Sequence, residues 1–176
     1  MKYLAGYPAP LLAQVREGLA AGSVGRALAQ RYPSPHTVRT DRALFDYVNA
    51  LKGESMRNAG PLAKVAYDSK LHVIRNALGT HTTVARVQGG RLKAKREIRV
   101  ASLFRDVPLD WLRMIVVHEL AHMKEAAHDR AFYSLCTHME PRYHQLEFDL
   151  RLYLTYLDSG GLALWQPPQP QPRVPG

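Results

Sequence analysis

Met114-Ile115-Val116-Val117-His118-Glu119-Leu120-Ala121-His122 is the stretch on which the reading of this chain turns. Four apolar residues run into a histidine and a glutamate, and a second histidine follows four positions after the first. On an α-helix, residues four apart project from the same face, one turn above the other, so the two imidazoles can share one metal ion. Glu119 follows the first histidine and can lean over the open side of that ion, where it can take a proton from an activated water. The apolar run makes the helix a buried one, and two histidines and a glutamate in a buried place need a partner to offset their desolvation. A metal supplies it, and a buried helix holds the ligands rigidly.

Three protein ligands leave a catalytic zinc one open position, so a third donor is required. His128, six residues past His122, is the preferred one. A continuous helix turning about 100° per residue would carry it away from the His118/His122 face, so the chain must leave the helix between Met123 and Ala127. Glu125, His138, Glu140, His144 and Glu147 are the rivals. A developing oxyanion also needs a donor besides the metal. His81, Arg142, Tyr143 and His144 are the candidates.

The neighbouring segments frame this helix. Asp106-Val107-Pro108 reads as its start, with Asp106 as the cap and proline in the first turn. Asp129 to His138 reads as a further helix with Phe132, Leu135 and Cys136 inward. Asp129 caps it or orients an imidazole, and capping is the preferred role. Pro141 ends it, and Leu146 to Leu157 forms a last amphipathic helix. Upstream, Val65 to Tyr67, Leu71 to Leu78, Thr82 to Val87 and Leu92 to Ala101 are short runs rich in β-branched residues. Gln88-Gly89-Gly90-Arg91 signals a hairpin, so a small, mostly antiparallel sheet is expected. The first third is helical: Leu11 to Ala20, then a helix capped by Ser23 and running to Arg31, then His36 to Arg57. From Trp165 the sequence turns to proline and glutamine, which predicts an extended tail.

The chain has 176 residues, 46% of them apolar and 22% charged, enough for one domain with a core. No apolar run approaches the roughly 20 residues that span a bilayer, so no membrane association is expected. Met1 to Pro8 has no signal-peptide core, and Cys136 is the single cysteine, which points to a cytoplasmic protein without an internal disulfide. A formal charge of +9 favours anionic partners, nucleic acid or nucleotides among them. The densest basic run is Arg91-Leu92-Lys93-Ala94-Lys95-Arg96, which suits a solvated strand face as well as a phosphate-contacting one. Oligomeric state is not legible.

His118-Glu119-Leu120-Ala121-His122-Met123-Lys124 followed by His128-Asp129-Arg130-Ala131-Phe132-Tyr133 resembles the YgjP-like metallopeptidase family, whose members are related to SprT-like and WLM zinc proteases. The resemblance reaches back through Leu78-Gly79-Thr80-His81 and the strand Arg91 to Ala101, and forward to about Leu154. Asp129 stands where that family has serine, and Tyr133 where it has tryptophan. The resemblance implies His118, His122 and His128 as zinc ligands and Glu119 as the catalytic base. It also implies an α+β fold: a minimal zincin-like core with the small sheet, the H-E-x-x-H helix and C-terminal helices behind it. Residues 1–60 would be an N-terminal helical segment packed on that core, 61–160 the core itself, and 161–176 a flexible tail. The function expected is zinc-dependent hydrolysis of peptide bonds in a peptide or protein substrate. Two alternatives accompany it: metal-dependent nucleotide phosphohydrolysis, and a nucleic-acid-associated SprT-like protease.

Overall fold

The computed structural model describes residues 1–71 and 96–166. Its helices are α1 (Ala9–Ala20), α2 (Ser23–Arg31), α3 (Asp41–Ser55), α4 (Leu109–Ala121), α5 (Arg130–Met139) and α6 (Tyr143–Asp158). Its strands are β1 (Leu62–Asp68) and β2 (Arg96–Ala101), and short 3₁₀ turns occupy Lys2–Leu4 and Ser102–Asp106.

The N-terminal helices follow from local chemistry, with two adjustments. Gly22, at φ 63°, takes the left-handed conformation that ends α1 and admits α2. Ser23 is therefore already inside α2, and its hydroxyl donates back to the Gly18 carbonyl at 3.2 Å instead of capping. The third helix starts at Asp41, later than the expected His36. Thr40 caps it, its hydroxyl accepting from the Ala43 amide at 3.1 Å. His36 is buried in the preceding turn, where Nδ1 accepts from the Val38 amide at 2.9 Å and Nε2 meets the Phe104 carbonyl at 2.7 Å. Those local bonds compete with helix formation.

The sheet corrects the antiparallel expectation. β1 and β2 pair in parallel, with Val65 opposite Ile98 and Tyr67 opposite Val100. The antiparallel reading rested on the glycine hairpin, which lies with the strands predicted over 72–95 and with His81 outside the described residues. β1 ends at Asp68 and β2 begins at Arg96, and a separation of that length permits parallel pairing, as a tight turn does not. Ile98 and Val100 are buried while Glu97 and Arg99 are partly exposed, the alternation of a strand with one face on a core.

α4 is the centre of the molecule. It packs against β2, α5 and α6. Every residue from Trp111 to Ala121 except Arg113 is buried. Pro108, not Asp106, precedes its first turn, and Asp106 instead bonds Arg39. The last helix begins at Tyr143, earlier than the expected Leu146, once Pro141 has separated it from α5.

The buried residues of α2, α3, both strands and α4 to α6 form one contiguous apolar cluster. A polar tie reinforces it: Asp149 of α6, 1% exposed, accepts from Arg31 at 2.9 Å, from the Tyr32 hydroxyl at 2.5 Å and from Gln145 at 2.9 Å. Gly25 lets α2 approach α6, since a Cβ there would meet the Tyr156 ring at 2.8 Å. Trp165, which composition assigns to the tail, is buried as well. Its Nε1–H donates to the Tyr32 carbonyl at 2.7 Å, and its ring stands edge-on to Trp111 at 5.1 Å. One large aromatic ring with a satisfied N–H is enough to anchor a polar segment. Residues 167–176 lie outside the description. No helix of the described residues is long and apolar enough to cross a membrane.

Candidate metal centre

His118 stands in the last turn of α4 and His122 caps its end, one turn on, as their spacing requires. Beyond them the helix unwinds without a glycine. The amides of Met123 and Lys124 bond the carbonyls of Leu120 and Ala121, each at 3.0 Å, in the tighter three-residue pattern. His122 closes this turn itself, its Nδ1–H donating to the Glu125 carbonyl at 2.9 Å. The chain then doubles back, and Asp129 caps α5 by accepting from the Phe132 amide at 3.0 Å. Between the turn and the cap stands His128.

The result is a convergence of three Nε2 atoms. His118 and His122 are 3.2 Å apart, His122 and His128 2.9 Å, and His128 and His118 3.2 Å. Tetrahedral ligation by imidazoles at about 2.0–2.1 Å sets donors about 3.3 Å apart, so the triangle is within a few tenths of an ångström of what a zinc-sized cation needs. Among the described residues these are the His, Cys, Asp or Glu side chains that cluster in this way. Phe132 packs against all three rings, with centroid distances of 4.9, 4.5 and 4.7 Å.

Electrostatics favour the neutral, ligating form. Burial holds His118 well below the ordinary histidine value, and the neighbouring His122 and His128 push the same way. Burial also lowers His122, against the raising effect of its bond to the Glu125 carbonyl. Neutral imidazoles with converging lone pairs repel one another unless a cation takes them.

Glu119 faces the opposite difficulty. It is 1% exposed, and neither carboxyl oxygen has a hydrogen-bond partner among the described residues. Burial pushes it up to about 8. A buried, unpartnered carboxyl is destabilising, and perturbed acids of this kind gather where chemistry is done.

The rival donors are committed elsewhere or do not join the cluster. Glu140 receives Arg113 at 3.0 Å, and Glu147 receives Arg151 at 2.6 Å. His144 lies against the Tyr133 and Tyr143 rings, at 5.5 and 5.6 Å. Glu125 contributes its carbonyl to His122, and His138 sits in the last turn of α5. Two of the oxyanion candidates point away from the convergence. Arg142 donates to Asp110, near the far end of α4, at 2.8 Å. The Tyr143 hydroxyl lies 2.7 Å from Nδ1 of His118, on the ring edge opposite the three Nε2 atoms. Sequence reasoning offered Tyr143 as an oxyanion donor and Phe132 as an inward residue of α5, and gave neither a place against the ligand rings; the packing of α5 and α6 brings them there.

A model of the YgjP-like metallopeptidase domain matches residues 70–153, a span that contains the whole cluster. The chain is 59% identical over 160 residues to a UTP pyrophosphatase of Escherichia coli (strain K12), an alignment that takes in 91% of this chain and 96% of that protein. No solved structure matches it. An imidazole triangle sized for a metal ion, a buried acid beside it, and likeness to that relative along nearly its whole length lead to one conclusion: the chain belongs to the YgjP-like metallopeptidase family and is a metal-dependent hydrolase.

Proposed function

We propose that this protein hydrolyses a phosphoanhydride bond of a nucleoside triphosphate, with His118, His122 and His128 holding Zn²⁺ and Glu119 as general base. The observation that carries the choice of bond is the 59% identity to a protein named for UTP pyrophosphatase activity, sustained over 96% of that protein. Charge supports it: the stretch 71–96 holds Arg75, Arg86, Arg91, Lys93, Lys95 and Arg96 and not one acid. A polyphosphate is the kind of ligand such a stretch attracts.

The zinc, when bound, acts as a Lewis acid and lowers the pKa of a water toward about 7. The chain's own residues do the rest. The three imidazoles are neutral, so they leave the cation's charge undiminished. Glu119 accepts the water proton as the oxygen bonds to phosphorus. The departing pyrophosphate leaves as an anion and needs no proton at neutral pH, so Glu119 has only to work as a base. The cation's charge would favour the carboxylate form of Glu119 that this role needs.

A second reading, peptide-bond hydrolysis, is favoured by the H-E-L-A-H turn and by the peptidase character of the family. There Glu119 would also have to return the proton to a leaving amine. The deciding assay uses zinc-loaded full-length protein against nucleoside triphosphates, UTP included, and against a peptide library. Release of pyrophosphate that disappears in Glu119→Gln at equal zinc content is the expected result. Glu119-dependent peptide cleavage with no pyrophosphate from any triphosphate would overturn the proposal in favour of the second reading.

A further inference from the structure

Each candidate ligand needs its second ring nitrogen held, because a ligating Nε2 must be the unprotonated one and the proton must therefore sit on Nδ1. His122 meets this through its own backbone turn, donating to the Glu125 carbonyl. His118 cannot do the same. It lies within α4, where the nearby carbonyls are taken up by the helix, and its ring is almost wholly enclosed. Its Nδ1 instead lies 2.7 Å from the hydroxyl of Tyr143, the first residue of α6. Tyr143 is 1% exposed.

The direction of this bond follows from donor arithmetic. A phenol has one proton to give and can accept as well. A phenol titrates at about 10 and keeps its proton at neutral pH. With that proton turned away from the ring, the oxygen accepts from His118 Nδ1–H, and Nε2 presents a lone pair to the triangle. Were the proton directed at Nδ1, the hydrogen would move to Nε2 and block the ligating position.

We infer that Tyr143 is a positioning residue that fixes the tautomer and orientation of His118 for metal binding. The inference rests on the three-imidazole reading of the site. A carboxylate in this place would push negative charge onto the imidazole, whereas a neutral phenol orients the ring while leaving the cation the stronger Lewis acid. It also explains why an enclosed polar residue stands at the start of α6 against a ligand whose own backbone cannot help it.

Zinc affinity of the full-length protein, measured by competition with a chromogenic chelator, tests this. The comparison is wild type against Tyr143→Phe, with the cobalt(II) absorption spectrum recorded on both. The variant is expected to bind about 10- to 100-fold more weakly, as ligand-orienting partners generally require, and to show an altered ligand-field band while the metal-free protein keeps its helical content. Equal zinc affinity and an unchanged cobalt spectrum in the two proteins would overturn the inference. Should Tyr143→Phe not fold, the ring ¹⁵N shifts of His118 in the metal-free wild-type protein take its place: the Nδ1–H tautomer is expected, and the Nε2–H tautomer would again overturn the inference. A wild-type protein that binds no zinc would remove the three-imidazole reading itself, which separates that failure from this one.

Discussion

Glu119 should make the metal-free protein less stable than it could be, and by an amount that depends on pH. Its carboxyl is ordinary at 4.5 when the chain is unfolded and stands at about 8 in the fold because burial penalises its charge. The folded state therefore holds the proton more tightly. Stability is complete below the unfolded value and drains away as pH rises from 4.5 toward about 8. At about 1.4 kcal/mol per pH unit, the loss at neutral pH is about 3 kcal/mol. Glu119→Gln keeps the shape and removes the ionisation. Urea unfolding of chelator-treated proteins should thus give similar stabilities near pH 4.5 and a variant more stable by about 3 kcal/mol near pH 7. The lowered His118 and His122 titrate in both proteins and cancel in the difference. Saturating zinc should narrow the gap, because a nearby cation favours the charged carboxylate. A stability difference that does not vary with pH would refute the reasoning, since it would mean that Glu119 is solvated or paired in the native protein.

Three further outcomes follow from the same coordinates. Asp149→Ala, which strands the Tyr32 hydroxyl and the Arg31 guanidinium at the junction of α2 and α6, should destabilise by about 3 kcal/mol in denaturant unfolding, whereas Asp149→Asn should cost less. Trp165→Ala should cost about 3–5 kcal/mol in denaturant unfolding, the range for emptying a large aromatic site. His36 is held below its ordinary value of 6.5 by burial, so the unfolded chain binds its proton more readily. Its contribution is whole above 6.5 and is lost as pH falls, so His36→Gln should flatten the acid side of the stability profile by up to about 1.4 kcal/mol per unit.

The parts of the site that were legible are those set by local geometry. The pairing of His118 with His122 follows from the helical repeat alone, and the burial of α4 follows from Met114 to Val117. The cap at Asp129 was readable because an N-cap depends on a side chain and an amide three positions on. Ser23 and Asp106 show the limit of that logic. Each has the right chemistry for a cap, but Gly22 supplies the turn before α2 and Arg39 claims Asp106 from a distant part of the chain. Trp165 was misplaced for a related reason, because a single aromatic in a polar run gives no periodic signal while contributing a large buried area to the core.

What the sequence determined by itself is the chemistry a four-residue repeat can encode: two imidazoles on one helical face, an acid beside them, and an apolar helix to hold them still. Only the tertiary structure decided the rest. It decided how His128 returns to the other two, that β1 and β2 run parallel, and that Tyr143 faces His118 from a helix 25 residues away in sequence. The first depends on an unwound turn that no glycine marks, and the other two join segments far apart along the chain, where no local spacing records which of many sterically possible pairings the packing of α4 against α5, α6 and β2 will select.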